Sequence, residues 1–199
     1  EILAAPNAVV SASMMAFSQS SNQFNLIYVG RLTKRKKPYF LVKAFAHEIH
    51  KLPVETKLII IGQGEEEGKI KKYIANNKLS NRIELFGHIS DQKKLKELYF
   101  SSFFSVSPGY VGLSITQSFS FGVPMLVSKD ENHSPEIEAV IPNINALFFE
   151  TDNVNDFNKI IMNAFDNKEY WIKQRPSIVN FCKDSYSIEA MSKVFINLV

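Results

Sequence analysis

Four short apolar runs, each closed by glycine or proline, set the strongest limit on what this chain can become: FNLIYVG (24–30), TKLIIIG (56–62), NRIELFG (81–87) and FFSVSP (103–108). Each has the length and side chains of a buried strand. Between them lie segments of helical character. PYFLVKAFAHEIHKL (38–52) places Phe40, Leu41, Ala44, Phe45 and Ile49 at helical spacing, EEEGKIKKYIANNKL (65–79) is a charged, exposed helix, and QKKLKELYFSS (92–102) is a third. A helix over 113–121 and strands at 124–127 and 145–150 continue the alternation, and the remainder to Val199 reads as helices. Strand and helix alternating at this pace predict an α/β fold, a parallel doubly wound sheet covered on both faces.

Residues 1–24 carry the Ser/Asn/Gln-rich stretch SASMMAFSQSSNQF and read as a linker or an incompletely packed entry segment, leaving 25–199 as a single domain. The total of 199 residues suits one large α/β domain, and 45% hydrophobic residues with sixteen phenylalanines can fill its core. The chain opens on EILAAPNAVVSASM, without an initiator methionine, and reads as a fragment of a longer protein, a processed end being the alternative.

Composition removes several classes of function. A net charge of +3 is too mild to indicate a nucleic-acid partner. The single cysteine, Cys182, excludes an intrachain disulfide framework and suits a reducing cytosol. No apolar run reaches the roughly 20 residues of a membrane span, and the N-terminus lacks a signal-peptide pattern.

In doubly wound sheets ligands bind beyond the carboxyl ends of the strands. That rule directs attention to the loops after Gly30, Gly62, Gly87 and Pro108. The first, GRLTKRKKP, sets Arg31 directly after a strand and gathers Lys34, Arg35, Lys36 and Lys37 before a helix. A solvated basic loop is the plain alternative, but an arginine in a turn at this place suits bidentate phosphate contact. The second, GQGEEEG, imitates a dinucleotide fingerprint, with Glu84 at the distance of a ribose acid. Its three glutamates would repel a pyrophosphate at the helix start, so it reads as turn and helix-start chemistry.

In the third loop, His88 stands alone, with no carboxylate or nucleophile tied to it by spacing, and Ser90 or Asp91 suits an N-cap. His47, His50 and His133 show no ligand spacing with acids or cysteines, so no metal site is expected. The fourth loop, SPGYVGLSITQSFSFGVP, combines Gly109 and Gly112 with a helix start whose first amides lack partners. Such a start attracts an anion by about 0.3–1 kcal/mol. Joined to Arg31 and Lys36, it makes a diphosphate cradle, with Gln117 one turn further along on the side of Leu113.

The ordered set of GRL…K, GxG, FxG, GL and GVP after successive strands resembles the nucleotide-binding C-terminal domain of GT-B glycosyltransferases, in particular the large retaining family 4. The resemblance covers about residues 25–195, and PNAVV (6–10) is similar to the segment joining that domain to its N-terminal partner. It implies a Rossmann-like domain, the C-terminal half of a GT-B fold, that binds a nucleoside diphosphate sugar as substrate and needs no cofactor or metal. The sugar would pass, with retention, to a glycan or lipid-linked acceptor. The acceptor site would lie on an N-terminal domain absent from this chain, leaving the fragment inactive alone. Polysaccharide or lipopolysaccharide assembly is implied, in a bacterial cytoplasm and at the inner face of the membrane by peripheral association.

Carried over residue by residue, Arg31 and Lys36 match the basic pair on the donor diphosphate. Gly112, Leu113 and Ser114 match the helix start that bonds the phosphates, and Ile89 matches the place where the base is held. Gln117 falls where the family has the second glutamate of Glu-x7-Glu, which grips the ribose, and Gly109 falls at the first, near the sugar. A carboxylate bonds hydroxyls by about 1.5–3 kcal/mol, a neutral group by about 0.5–1.5. The two departures therefore open a second expectation, a degenerate nucleotide-binding or scaffold module. An epimerase of the same architecture lacks any supporting acid–histidine pair.

Overall fold

The computed structural model describes residues 5–196. Six strands, β1 (Asn25–Val29), β2 (Leu58–Ile61), β3 (Ile83–Gly87), β4 (Ser102–Ser107), β5 (Met125–Ser128) and β6 (Ala146–Phe149), form one sheet in the order β3-β2-β1-β4-β5-β6. Every neighbouring pair is parallel. The first four strands follow the four apolar runs within a residue or two. Parallel neighbours require crossovers. These are α1 (Pro38–His47), α2 (Glu67–Asn76), α3 (Gln92–Phe100), α4 (Ser114–Ser120) and, between β5 and β6, a loop with the 3-10 turn Pro135–Ala139. Helices α5 (Val154–Asp166), α6 (Lys168–Tyr186) and α7 (Ile188–Ile196) complete the chain.

The pleat sends alternate residues of a strand to opposite faces, and β1 shows the result. Leu26 and Tyr28 join a core with Phe45, Phe104, Phe157 and Trp171, while Ile27 faces Ile59, Leu95, Tyr99 and Phe121 on the other side. A third cluster packs Met125 and Val127 of β5 against Ile115, Phe119, Ile178 and Cys182 of α4 and α6. Central strands β2, β4 and β5 are buried along their whole length, as continuous apolar runs require.

Helices came out shorter than the apolar spacing suggests. The 38–52 segment stops at His47 and ends in a separate 3-10 turn, Ile49–Lys51. Helix α2 begins only at Glu67, because Glu65 and Glu66 bond back to the loop after β1. Asp91 caps α3, its carboxylate accepting from the amides of Lys93 and Lys94. The Ser-rich N-terminal segment is anchored at its centre. Val10 and Met15 are buried, the Ala16 amide donates to the Ser120 carbonyl, and the Ile188 amide to that of Val10. No helix among the described residues is long and apolar enough to cross a membrane.

Candidate functional site

The sheet order reverses between β1 and β4, the switch point at which a crevice opens beyond the strand ends. Two adjoining cavities lie there, of about 560 and 610 Å³, and Val29, Gly30, Arg31 and Gln117 form their common wall. Lys36, Tyr110, Gly112, Leu113 and Ser114 line the first cavity alone; His88 and Ile89 line the second. The groove thus gathers seven of the eight residues singled out from the sequence. Gly109 stands apart: it is buried, and a Cβ there would lie 2.5 Å from the Arg35 carbonyl oxygen.

The basic loop is shaped by its neighbours. Tyr28, on β1, donates its hydroxyl to the Arg31 carbonyl at 2.8 Å, fixing the backbone where arginine leaves the strand. Burial, and Glu66 second, raises its pKa, so the phenol stays a donor. The Tyr110 amide donates to the Arg35 carbonyl at 3.1 Å, and the Arg35 guanidinium stacks 3.8 Å over the Tyr110 ring. Lys36 donates to the Tyr110 carbonyl at 3.3 Å. Among the described residues Arg31, Arg35 and Lys36 form no ion pair, whereas Lys37 is held by Glu131 at 2.6 Å and Asp152 at 2.7 Å. Burial, together with Arg31 and Arg35, lowers the Lys36 pKa. Unpaired cations that repel one another at a cavity wall are primed for an anion.

Across from them, the amides of Gly112, Leu113 and Ser114 make no hydrogen bond among the described residues, while the Ile115 amide turns back to Gly112. Helix α4 has only seven residues, so three free donors matter more here than a long dipole. Gln117 is half-buried, and its Oε1 accepts from the hydroxyl of the fully buried Tyr99 at 3.4 Å. The amide therefore supplies a polar partner beneath the groove while lining it.

Sequence reasoning missed the loop after β5. His133 accepts the Val111 amide at its Nδ1 (3.2 Å) and bonds the Ser128 carbonyl through Nε2 (2.8 Å). The Ser134 amide donates to the Val111 carbonyl at 3.1 Å. Both pin the loop carrying Gly112. Ser134, Pro135, Glu136 and Asn7 line the first cavity. The strand-end rule, applied to β5 as to the other four, would have pointed to this loop. No group of three or more His, Cys, Asp or Glu able to hold a metal occurs among the described residues.

A Rossmann-like sheet with an anion-ready groove at its switch point defines an α/β domain suited to a phosphorylated ligand. The family model described as Glycosyl transferases group 1 matches residues 13–178. An uncharacterised glycosyltransferase of Methanocaldococcus jannaschii is 26% identical over 187 residues, covering 89% of this chain and 46% of its own length. Sucrose-phosphate synthase of Thermosynechococcus elongatus superposes with a TM-score of 0.81 at 18% identity, over 98% of this chain and 51% of that one. TarM of S. aureus, in complex with fondaparinux, α-GlcNAc-glycerol and UDP, gives 0.75 at 20% identity, over 99% and 38%. The chain belongs to the group 1 glycosyltransferase family, and its fold is that of the C-terminal domain of GT-B enzymes. It spans about half the length of the M. jannaschii relative.

Proposed function

We propose that this is the donor-binding domain of a glycosyltransferase that takes a sugar from a nucleoside diphosphate and passes it, with retention, to a glycan or lipid-linked acceptor. The observation that carries the reading is the pair of unpaired cations, Arg31 and Lys36, lining one groove with three free amides at Gly112–Ser114. A UDP complex of a structural relative supports it. The diphosphate would run from the common wall at Gly30 and Arg31 into the first cavity at Lys36 and Gly112–Ser114, with the ribose at Gln117 and the base against Ile89.

The anomeric C–O bond breaks with its electron pair going to the diphosphate, and the acceptor hydroxyl forms the new bond and gives up its proton. Arg31, Lys36 and the amides hold the charge that develops on the leaving group. They supply that charge stabilisation without a metal. The acceptor site and any base would come from a further domain, the full enzyme working in polysaccharide assembly at the inner face of a membrane.

The packed Gly109 favours a second reading. A carboxylate cannot be restored at a position whose Cβ would strike the Arg35 and Lys36 backbone at 2.5 and 2.9 Å, which suits a nucleotide-binding module that no longer transfers sugar. Calorimetric titration with UDP, GDP and ADP tests the donor site. Micromolar binding of one of them, weakened ten-fold or more by Arg31→Ala, is expected. Absence of binding to all three would sink the donor-site reading.

A further inference from the structure

Among the residues lining the two cavities there is one carboxylate, Glu136, and the donor-binding reading leaves it without a task. We propose that Glu136 receives hydroxyls of the donor sugar, in place of the acid that position 109 has no room to carry. The inference rests on the donor reading and assigns the sugar-facing residue of that same groove.

The order of lining residues places it. Ile89 belongs to the second cavity alone, Arg31 and Gln117 to the common wall, and Glu136, Ser134 and Asn7 to the first cavity alone. With the base at Ile89, the ribose at the wall and the diphosphate running from Arg31 to Lys36 and the Gly112 turn, the sugar extends further into the first cavity, where Glu136 lies. There Glu136 flanks the phosphate-binding turn, its Oε2 lying 4.0 Å from where a Cβ on Gly112 would be. It is buried and held from both sides: Asn7 Nδ2 donates to Oε1 at 3.0 Å, and the Ser134 hydroxyl donates to Oε2.

A carboxylate has about four acceptor sites, so two donors orient it and leave room for sugar hydroxyls. Burial opposes its charge, but the bonds from Ser134, Asn7 and its own backbone amide outweigh it and keep the carboxyl below the usual range. An ionised acid repels phosphate and accepts strongly from hydroxyls. No ring of further acids or histidines surrounds it to make a cation site among the described residues.

The test uses the chain as it stands, titrated with UDP, GDP and ADP and with UDP-glucose, GDP-mannose and ADP-glucose. The native chain is expected to bind one sugar nucleotide more tightly than its matching diphosphate. Glu136→Gln should weaken that sugar nucleotide about ten-fold while leaving the bare diphosphate within about two-fold. Asn7→Ala, at an exposed position, releases Oε1 and should cost about three-fold, and it decides the matter if Glu136→Gln does not fold. The inference alone falls if the native chain binds a diphosphate but prefers no sugar nucleotide. It falls likewise if both variants keep the native sugar-to-diphosphate ratio, or if Glu136→Gln binds bare diphosphate more tightly. No binding of any of the six probes by the native chain overturns the donor reading and this inference with it.

Discussion

Two loops of this chain look alike on paper and differ in space. GQGEEEG after β2 and SPGYVG after β4 both set two glycines after a strand and before a helix. In the first, glycine serves packing. A Cβ on Gly62 would lie 1.9 Å from the Gly30 carbonyl oxygen, with φ at +141°, and one on Gly64 would lie 2.5 Å from that of Leu32. Its charge is of the wrong sign for a phosphate, and two of its glutamates face the neighbouring loop: the Glu66 amide donates to the Leu32 carbonyl, and the Glu65 carboxylate accepts the Lys34 amide. The second divides the labour. Gly109 packs against the backbone of Arg35 and Lys36, whereas a Cβ on Gly112 would meet side chains, the nearest being Ser134 Oγ at 2.9 Å. A glycine motif thus reports close backbone approach, and the sign of the charge left unpaired around it decides whether a phosphate is involved. The closed loop also buttresses the open one, because it is bonded to the chain that carries Arg31.

The largest break in this comparison should come from Gly62→Ala. Its backbone sits where an L side chain is strained, and the new methyl collides with a carbonyl that cannot swing away. A loss of about 3 kcal/mol or more of unfolding free energy is expected, read from urea denaturation. Stability within about 1 kcal/mol of the native chain would show that the two loops separate freely. Arg31→Ala with Lys36→Ala should do the opposite. Neither side chain is in an ion pair among the described residues, so stability should stay within about 0.5 kcal/mol. Nucleoside diphosphate binding should weaken about 100-fold by calorimetry, as expected for two charge-assisted contacts. Equal stability losses in the two experiments would erase the distinction between a packing loop and a binding loop.

The sheet, its parallel sense and its strand-end groove were legible because four of the six strands are short apolar runs closed by glycine or proline. Helix ends were less so: α2 starts late because two glutamates that suit a first turn are taken by the neighbouring loop, a long-range bond invisible in local spacing. In the groove, Arg31, Lys36 and Gly112–Ser114 follow from residue type at a strand end. Glu136 and His133 did not, because they arrive from the loop after β5, with His133 22 residues beyond the Val111 it bonds, and only the sheet order brings that loop beside Gly112. Gly109 was legible as a glycine and not as a buried one. Gln117 gains a role that no motif suggests, as the acceptor for Tyr99. Gln117→Glu sharpens that reading: a carboxylate accepts from the ribose more strongly, and diphosphate affinity should rise about five-fold. Unchanged affinity would mean that Gln117 serves Tyr99 and not the nucleotide.

The smallest effect separates the cations of the open loop from one another. Lys36 has its pKa lowered by burial first and by Arg31 and Arg35 next. In the unfolded chain it would hold its proton to a higher pH, so the unfolded state binds more protons in the window between the two values. Stability therefore rises with pH there, as the fold sheds the cost of an enclosed ammonium. Diphosphate binding must run the other way, because the proton lost from Lys36 is one that the ligand needs. As the pH rises through the folded value toward the ordinary lysine range, affinity is expected to fall as stability creeps up. Arg35→Ala removes one repelling charge and should move the onset of both changes to higher pH. The same substitution also ends the stack on Tyr110, yet that loss lowers affinity evenly across pH and shifts no onset. Calorimetry across the alkaline range, on native chain and variant together, distinguishes the two. An onset that does not move with Arg35→Ala would place the titration on a group other than Lys36.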